Sequence, residues 1–214
     1  MKTPLQAAIE SVYRAFSDVT RPPSIKGCPC CLTEKQICIL LAKPLRVLSP
    51  DELTNYAESV LLTVGAIEDF IYFLPRILEI LVTDSDWWPN PEVVLRRMKE
   101  AGFQEWPAGR KLSVLSCFKE IISELLSREG DGYELDSWIC ALGNLQTDLG
   151  SYLQKIVANP PRLIEYYEVN SQPLTFGRLN NSFWNEAIAA EKTVVEWFKS
   201  AEIVGLINQQ YGLS

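Results

Sequence analysis

DFIYFLPRILEILV, residues 69–82, decides the fold. Phe, Ile, Leu and Val fill it so densely that a helix built from it has no wide wet face. A helix apolar almost all round is a buried one, with other elements packed against most of it. Its polar residues, Asp69, Tyr72, Arg76 and Glu79, recur at spacings of three, four and three and so share a single stripe. Pro75 sits mid-run without an N–H, which leaves the Ile71 carbonyl unpartnered and predicts a kink or a break. Phe70, Leu74, Ile77, Leu78 and Leu81 are the expected centre of the core.

The flanking sequence supplies helices to cover it. Upstream, Ser49 with Glu52 three residues on is a capping box, and Pro50 fits the first helical position. Leu53, Tyr56, Ala57, Val60, Leu61 and Val64 then form one apolar face that Gly65 can close, giving an antiparallel partner for residues 69–82. Thr33 and Gln36 open a short helix to about Ala42, and residues 4–18 read as an amphipathic helix ended by Arg21-Pro22-Pro23. Downstream, Asn90-Pro91 starts a helix that ends at Gly102. The next runs from near Pro107 to Ser127 with Leu112, Leu115, Phe118, Ile122 and Leu125 inward.

Helical spacing continues over 134–144, 148–158 and from Asn159-Pro160 onward. A polar connection over 171–181 leads to one long helix through Phe183, Ala187, Ala190, Val194, Trp197 and Ala201. No window alternates strictly between apolar and polar, so no strand is assigned. The expected class is all-α, a multi-helix bundle or an irregular HEAT-like stack, with more than about 60% helix against roughly a third in an average globular protein. The turn at Arg128–Gly132 divides a helical core with a Cys-rich loop (1–128) from C-terminal helices packed on the same domain (129–214).

Composition excludes more than it selects. The chain has no histidine, which removes His-based triads, His general bases and zinc sites that need imidazole. No apolar run approaches the ~20 residues that span a bilayer, and the first residues lack the pattern of a signal peptide. A cytoplasmic protein with no membrane contact is expected, its six cysteines held as thiols or metal ligands. The net charge of −7 argues against nucleic acid as a partner. Residues 51–86 carry eight carboxylates against one arginine, a surface suited to a basic protein.

Two clusters could carry function. Cys28, Cys30 and Cys31 lie in a Gly27–Cys31 loop and Cys38 follows on the next helix, so four sulfurs fall within eleven residues and could hold tetrahedral zinc. A zinc site of four cysteines usually pairs two C-x₂-C knuckles, and a second knuckle is missing here. Thiols just ahead of a helix also suit redox chemistry, and a loop of small packed side chains needs neither. No cofactor is expected on the simplest of these readings, with zinc as the alternative. Trp87 and Trp88, rimmed by Asp84, Asp86 and Glu92, form an aromatic patch of the kind that anchors protein partners. The stripe of Asp69, Tyr72, Arg76 and Glu79 is either a structural ion network or a binding site, with the network favoured because buried charges need partners.

RPPSIKGCPCC at 21–31 together with EDFIYFLPRILEIL at 68–81 resembles a group of uncharacterised bacterial cytosolic proteins. Those proteins carry a Gly-Cys-Pro-Cys-Cys loop ahead of a Phe-Leu-Pro-Arg helix, and the resemblance covers roughly residues 10–125. A His commonly stands in them where this chain has Tyr72. The resemblance implies a helical fold and brings no activity with it. With no catalytic motif in view, the expectation is a non-enzymatic protein-binding protein, of the type of a bacterial immunity protein that neutralises a basic toxin. The alternative is a zinc-binding or thiol-dependent regulatory protein centred on Cys28–Cys31.

Overall fold

The computed structural model describes residues 2–130 and 132–212, and it is 69% helical with no strand among the described residues. The all-α expectation therefore holds, and the helix content meets the level that sequence periodicity suggested. Among the described residues eleven α-helices follow one another: α1 Pro4–Ala15, α2 Glu34–Ala42, α3 Pro50–Ser59, α4 Ile67–Thr83, α5 Pro91–Glu100, α6 Ala108–Ser127, α7 Tyr133–Asn144, α8 Gly150–Val157, α9 Pro160–Leu174, α10 Ile188–Phe198 and α11 Ala201–Gln210. The chain divides into two compact units, Met1–Glu120 and Ile121–Ser214. The division falls inside α6, ahead of the glycine-rich turn where composition placed it. No described helix is long and apolar enough to cross a membrane.

In the first unit, helix starts follow local side-chain chemistry. Thr3, Thr33 and Ser49 each accept a hydrogen bond from the N–H three residues on, while Gln6, Gln36 and Glu52 reach back to the N–H of the capping residue. Asn90 caps α5 by accepting from the Val93 N–H at 3.2 Å. Helix α4 runs unbroken through Pro75, so the break that proline threatens does not occur. An internal proline costs ~3 kcal/mol or more. Phe73, Leu74, Ile77 and Leu78 around it are fully buried, and each such side chain contributes about 1.5–3 kcal/mol by leaving water. Burial outweighs the lost hydrogen bond. The cover comes from α1, α3 and the 3-10 turn Leu45–Val47, with Tyr56 of α3 set against Phe73 at 4.8 Å between ring centroids.

Two local expectations fail here. Helix α3 stops at Ser59, well before Gly65, because Leu61 takes a positive φ of 62° and leaves Leu62 64% exposed. In α6 the inward face is shifted: Leu112 is 66% exposed and Leu115 half-buried, while Val114, Cys117 and Phe118 are buried.

In the second unit, α7 lies at the centre and meets α9, α10 and the 3-10 turn Ser182–Glu186. Gly143 lets the Trp184 ring sit against α7, since a Cβ there would come within 2.8 Å of it. Helix α9 continues to Leu174, into the stretch that its polar composition marked as connection. The long helix expected from 183 onward is three pieces. Ala187 leaves helical geometry, and the Ser200 side chain accepts from the Ile203 N–H to start α11 afresh. The apolar seam continues across these breaks, and so periodicity alone could not see them.

Replacing Leu78 with Ala is expected to lower the stability of the protein by about 2–5 kcal/mol in urea unfolding, because the site is fully buried. A loss below about 1 kcal/mol would show that α4 is not the centre of the first unit.

Candidate functional site

The turn between α3 and α4 receives the cysteine loop. Leu61 N–H donates to the Val64 carbonyl and closes a tight turn, whose far side is met by residues 26–28. Gly65 N–H donates to the Lys26 carbonyl at 2.7 Å, and Cys28 N–H donates to the Thr63 carbonyl at 2.9 Å. Between them Gly27 forms an antiparallel bridge with Val64. A Cβ on Gly27 would lie 2.5 Å from the Val64 Cα and 2.6 Å from the Thr63 oxygen, so only glycine permits this approach.

Beyond the bridge the loop folds over itself. The Cys31 and Leu32 N–H groups both donate to the Cys28 carbonyl, and buried Ile25 and Leu32 anchor the two ends. The sulfurs of Cys28, Cys30 and Cys31 consequently lie within 4.8 Å of one another. Cys28 and Cys30 are joined as a disulfide with Cα atoms 5.4 Å apart, and the Cys31 Sγ stands 3.9 Å from the Cys30 Sγ. Cys30 is exposed, and its two neighbours are half-buried.

This arrangement corrects two expectations. Cys38 is exposed on α2 and is not one of the grouped sulfurs, so the four-sulfur set becomes three. Helix geometry carries its side chain away from a loop that ends before the helix begins. Cys28 and Cys30 are also a bonded pair, not separate thiols, because the turn at Pro29 brings the sulfurs together. Cys117 and Cys140 are buried packing residues. Burial, with Glu120 as a smaller cause, pushes the Cys117 thiol up to about 12, which keeps it protonated and unreactive.

The polar stripe of α4 disperses into separate structural contacts. Asp69 is buried and accepts from the Ala66 N–H at 2.8 Å, capping its own helix; burial raises its carboxyl pKa. The Tyr72 hydroxyl accepts from Arg21 Nε at 3.1 Å, and the same guanidinium donates to the Leu41 and Lys43 carbonyls at the end of α2. Arg76 donates to the Leu48 carbonyl and to Glu79, and Glu79 also accepts from the Tyr13 hydroxyl at 2.6 Å. Burial and then Glu79 raise the Tyr13 pKa, so its proton stays available for that bond. Arg46 stacks on the Tyr13 ring at 3.7 Å while pairing with Glu10. These contacts tie α4 to α1, α2 and the Leu45–Val47 turn. They use the stripe up.

The aromatic patch is also divided. Trp87 is only 8% exposed, and its Nε1–H donates to Thr54 Oγ1 at 2.9 Å and to the Pro50 carbonyl at 3.2 Å. Its indole covers the start of α3 and is unavailable to a partner. Glu92 is buried in the first turn of α5. Trp88 remains 47% exposed, with Asp86 exposed and Asp84 half-buried. Sequence reasoning missed an open groove lined by Leu61 to Glu68, with Leu62 and Ile67 exposed along it. Leu61 and Gly65 both take positive φ along it, and the apolar run Val60–Leu62 hides the early turn from the sequence.

Two pairs of substitutions test this description. Gly27→Ala is expected to destabilise the protein by about 1–3 kcal/mol through the backbone clash, whereas Gly109→Ala, with open space around it, stays neutral or gains up to ~1 kcal/mol. Trp87→Ala is expected to cost about 3–5 kcal/mol, and Trp88→Ala less than about 0.5 kcal/mol. Urea unfolding of the four variants reads both contrasts. No protein-family profile matches the chain, and neither a curated protein nor a solved structure is similar to it.

Proposed function

We propose that this chain is a thiol-dependent regulatory protein whose working centre is Cys28, Cys30 and Cys31. One observation carries the reading: three sulfurs gathered within 4.8 Å on a loop whose backbone is bonded to the α3–α4 turn. Exposed Cys30 is the sulfur open to attack. A thiolate from a small thiol attacks it, forming a mixed disulfide and releasing Cys28 as thiolate; a second small thiol then attacks its partner's sulfur and releases Cys30. Two small thiols are oxidised to a disulfide, and the protein pair is reduced to two thiols. In the reverse direction Cys28 attacks the mixed disulfide at Cys30, with Cys31 close enough to compete. The chain acts here as a responder to thiol redox state and needs no turnover.

Titration of thiols in the folded chain after treatment with oxidised and reduced glutathione tests the reading. Oxidised protein is expected to have two fewer thiols than reduced protein, with Cys28 and Cys30 as the missing pair. The Cys28→Ser/Cys31→Ser double variant is expected to accumulate glutathione on Cys30, because both thiols able to displace it are removed. If the thiol count is the same in both buffers, the centre is not redox-active.

The acidic surface favours a second reading, protein binding of the kind an immunity protein shows toward a basic toxin in a bacterial cytosol. Of the eight carboxylates in residues 51–86, Asp51, Glu58, Glu68 and Asp86 are exposed. Glu52 pairs with Lys43, Asp69 caps α4 and Glu79 pairs with Arg76, so those three serve the fold. Such charges steer a basic partner and set its on-rate, while Trp88 supplies the exposed aromatic area. Binding kinetics with the product of a neighbouring reading frame test it. Association is expected to slow as salt rises, and Trp88→Ala to speed dissociation; salt-independent association contradicts this reading.

A further inference from the structure

With the Cys28–Cys30 bond opened, the loop presents three thiols to one point. The sulfurs of Cys28, Cys30 and Cys31 lie within 4.8 Å of one another, and no carboxylate belongs to the group among the described residues. The chain contains no histidine, and Cys38 lies outside the group. The donor set is therefore three soft sulfurs and nothing else. A structural zinc site wants four protein ligands in a tetrahedron, which this loop does not offer.

Charge narrows the ligand further. Three thiolates around a monovalent soft cation keep two negative charges, and around zinc they keep one. Around a trivalent centre they keep none. Two of the three sulfurs are half-buried, and the chain already carries a net charge of −7, so the neutral complex is favoured. A trivalent centre with a lone pair is also three-coordinate and pyramidal, which leaves its open side toward solvent beside exposed Cys30. Sulfurs bound at ~2.3 Å to one centre stand somewhat under 4 Å apart. Cys30 and Cys31 are already at 3.9 Å.

We propose that the reduced Cys28–Cys30–Cys31 loop captures a trivalent metalloid of the arsenite class. Arsenous acid condenses with the three thiols: three As–S bonds form, three As–O bonds break, and three waters leave with the three thiol protons. No oxidation state changes. The proposal rests on the thiol reading above, since the disulfide must first be opened by small thiols. Capture and disulfide formation then compete for the same sulfurs, so bound arsenic holds the loop in its reduced form.

The test uses the full chain, reduced with a phosphine and mixed with sodium arsenite, followed by native mass spectrometry. One arsenic per chain, with a mass gain of one arsenic less three hydrogens, is expected. Cys28→Ser, Cys30→Ser and Cys31→Ser should each lose that species, and Cys38→Ser should keep it. Phenylarsine oxide, which condenses with only two thiols, should still label each of the three single variants, showing that their remaining thiols are intact. Equal arsenite binding by the single variants overturns the proposal, as does zinc or cuprous ion bound one per chain and not displaced by arsenite. Thiol titration separates the two claims. If reduction exposes the Cys28 and Cys30 thiols but arsenite does not bind, the metalloid proposal fails and the thiol reading stands; if no thiols appear on reduction, both fail.

Discussion

Helix α4 is too apolar to leave a wide face in water, and the first unit is arranged to meet that constraint. Ten of its seventeen residues are buried, among them Pro75 and Asp69. Its polar atoms are therefore satisfied close at hand. Asp69 closes the first turn on the Ala66 N–H, and Glu79 gathers Arg76 and Tyr13. Groups of this kind are costly to leave unpaired in an apolar interior, so each contact fixes a neighbouring element in one place. The polar stripe joins α4 to its cover.

The same constraint places the cysteine loop. For α4 to start at Ile67 with α3 already ended at Ser59, the chain must turn sharply across Val60–Ala66. That turn exposes backbone groups, and the cysteine loop satisfies two of them: the Thr63 carbonyl accepts from Cys28 and the Gly65 N–H donates to Lys26. Two backbone bonds and a glycine bridge then hold the three sulfurs beside the approach to the central helix. A change in bonding at Cys28 acts on the same residue whose N–H holds the turn. The proposed thiol chemistry at the loop would in this way reach the α3–α4 turn through the backbone contacts of residues 26–28.

What the sequence made legible was local or strongly periodic. Ser49 with Glu52, Thr33 with Gln36, and Asn90 ahead of Pro91 each start a helix through bonds within four residues. The burial of α4 was legible because its composition allows no alternative. What was missed depends on distant partners. Val60 to Gly65 continues the apolar spacing of α3, yet docking of Lys26 and Cys28 holds it as a turn. Trp87 and Trp88 are equivalent by composition, and only the position of Thr54 and Pro50 buries one and leaves the other exposed. At the candidate site, sequence grouped Cys28, Cys30 and Cys31 correctly. The spacing to Cys38 suggested a fourth member, which the direction of α2 does not supply.

If the proposed thiol reading holds, the redox state of the cysteine loop is felt at the α3–α4 turn. Hydrogen exchange at the Cys28 and Gly65 amides, followed in the oxidised and reduced protein, measures it most directly. Both amides donate across the bridge, and opening of such a bond is what exchange reports. Faster exchange is expected at both positions on reduction, with α4 amides such as Leu78 unchanged. Identical exchange at Cys28 and Gly65 in the two states would contradict it.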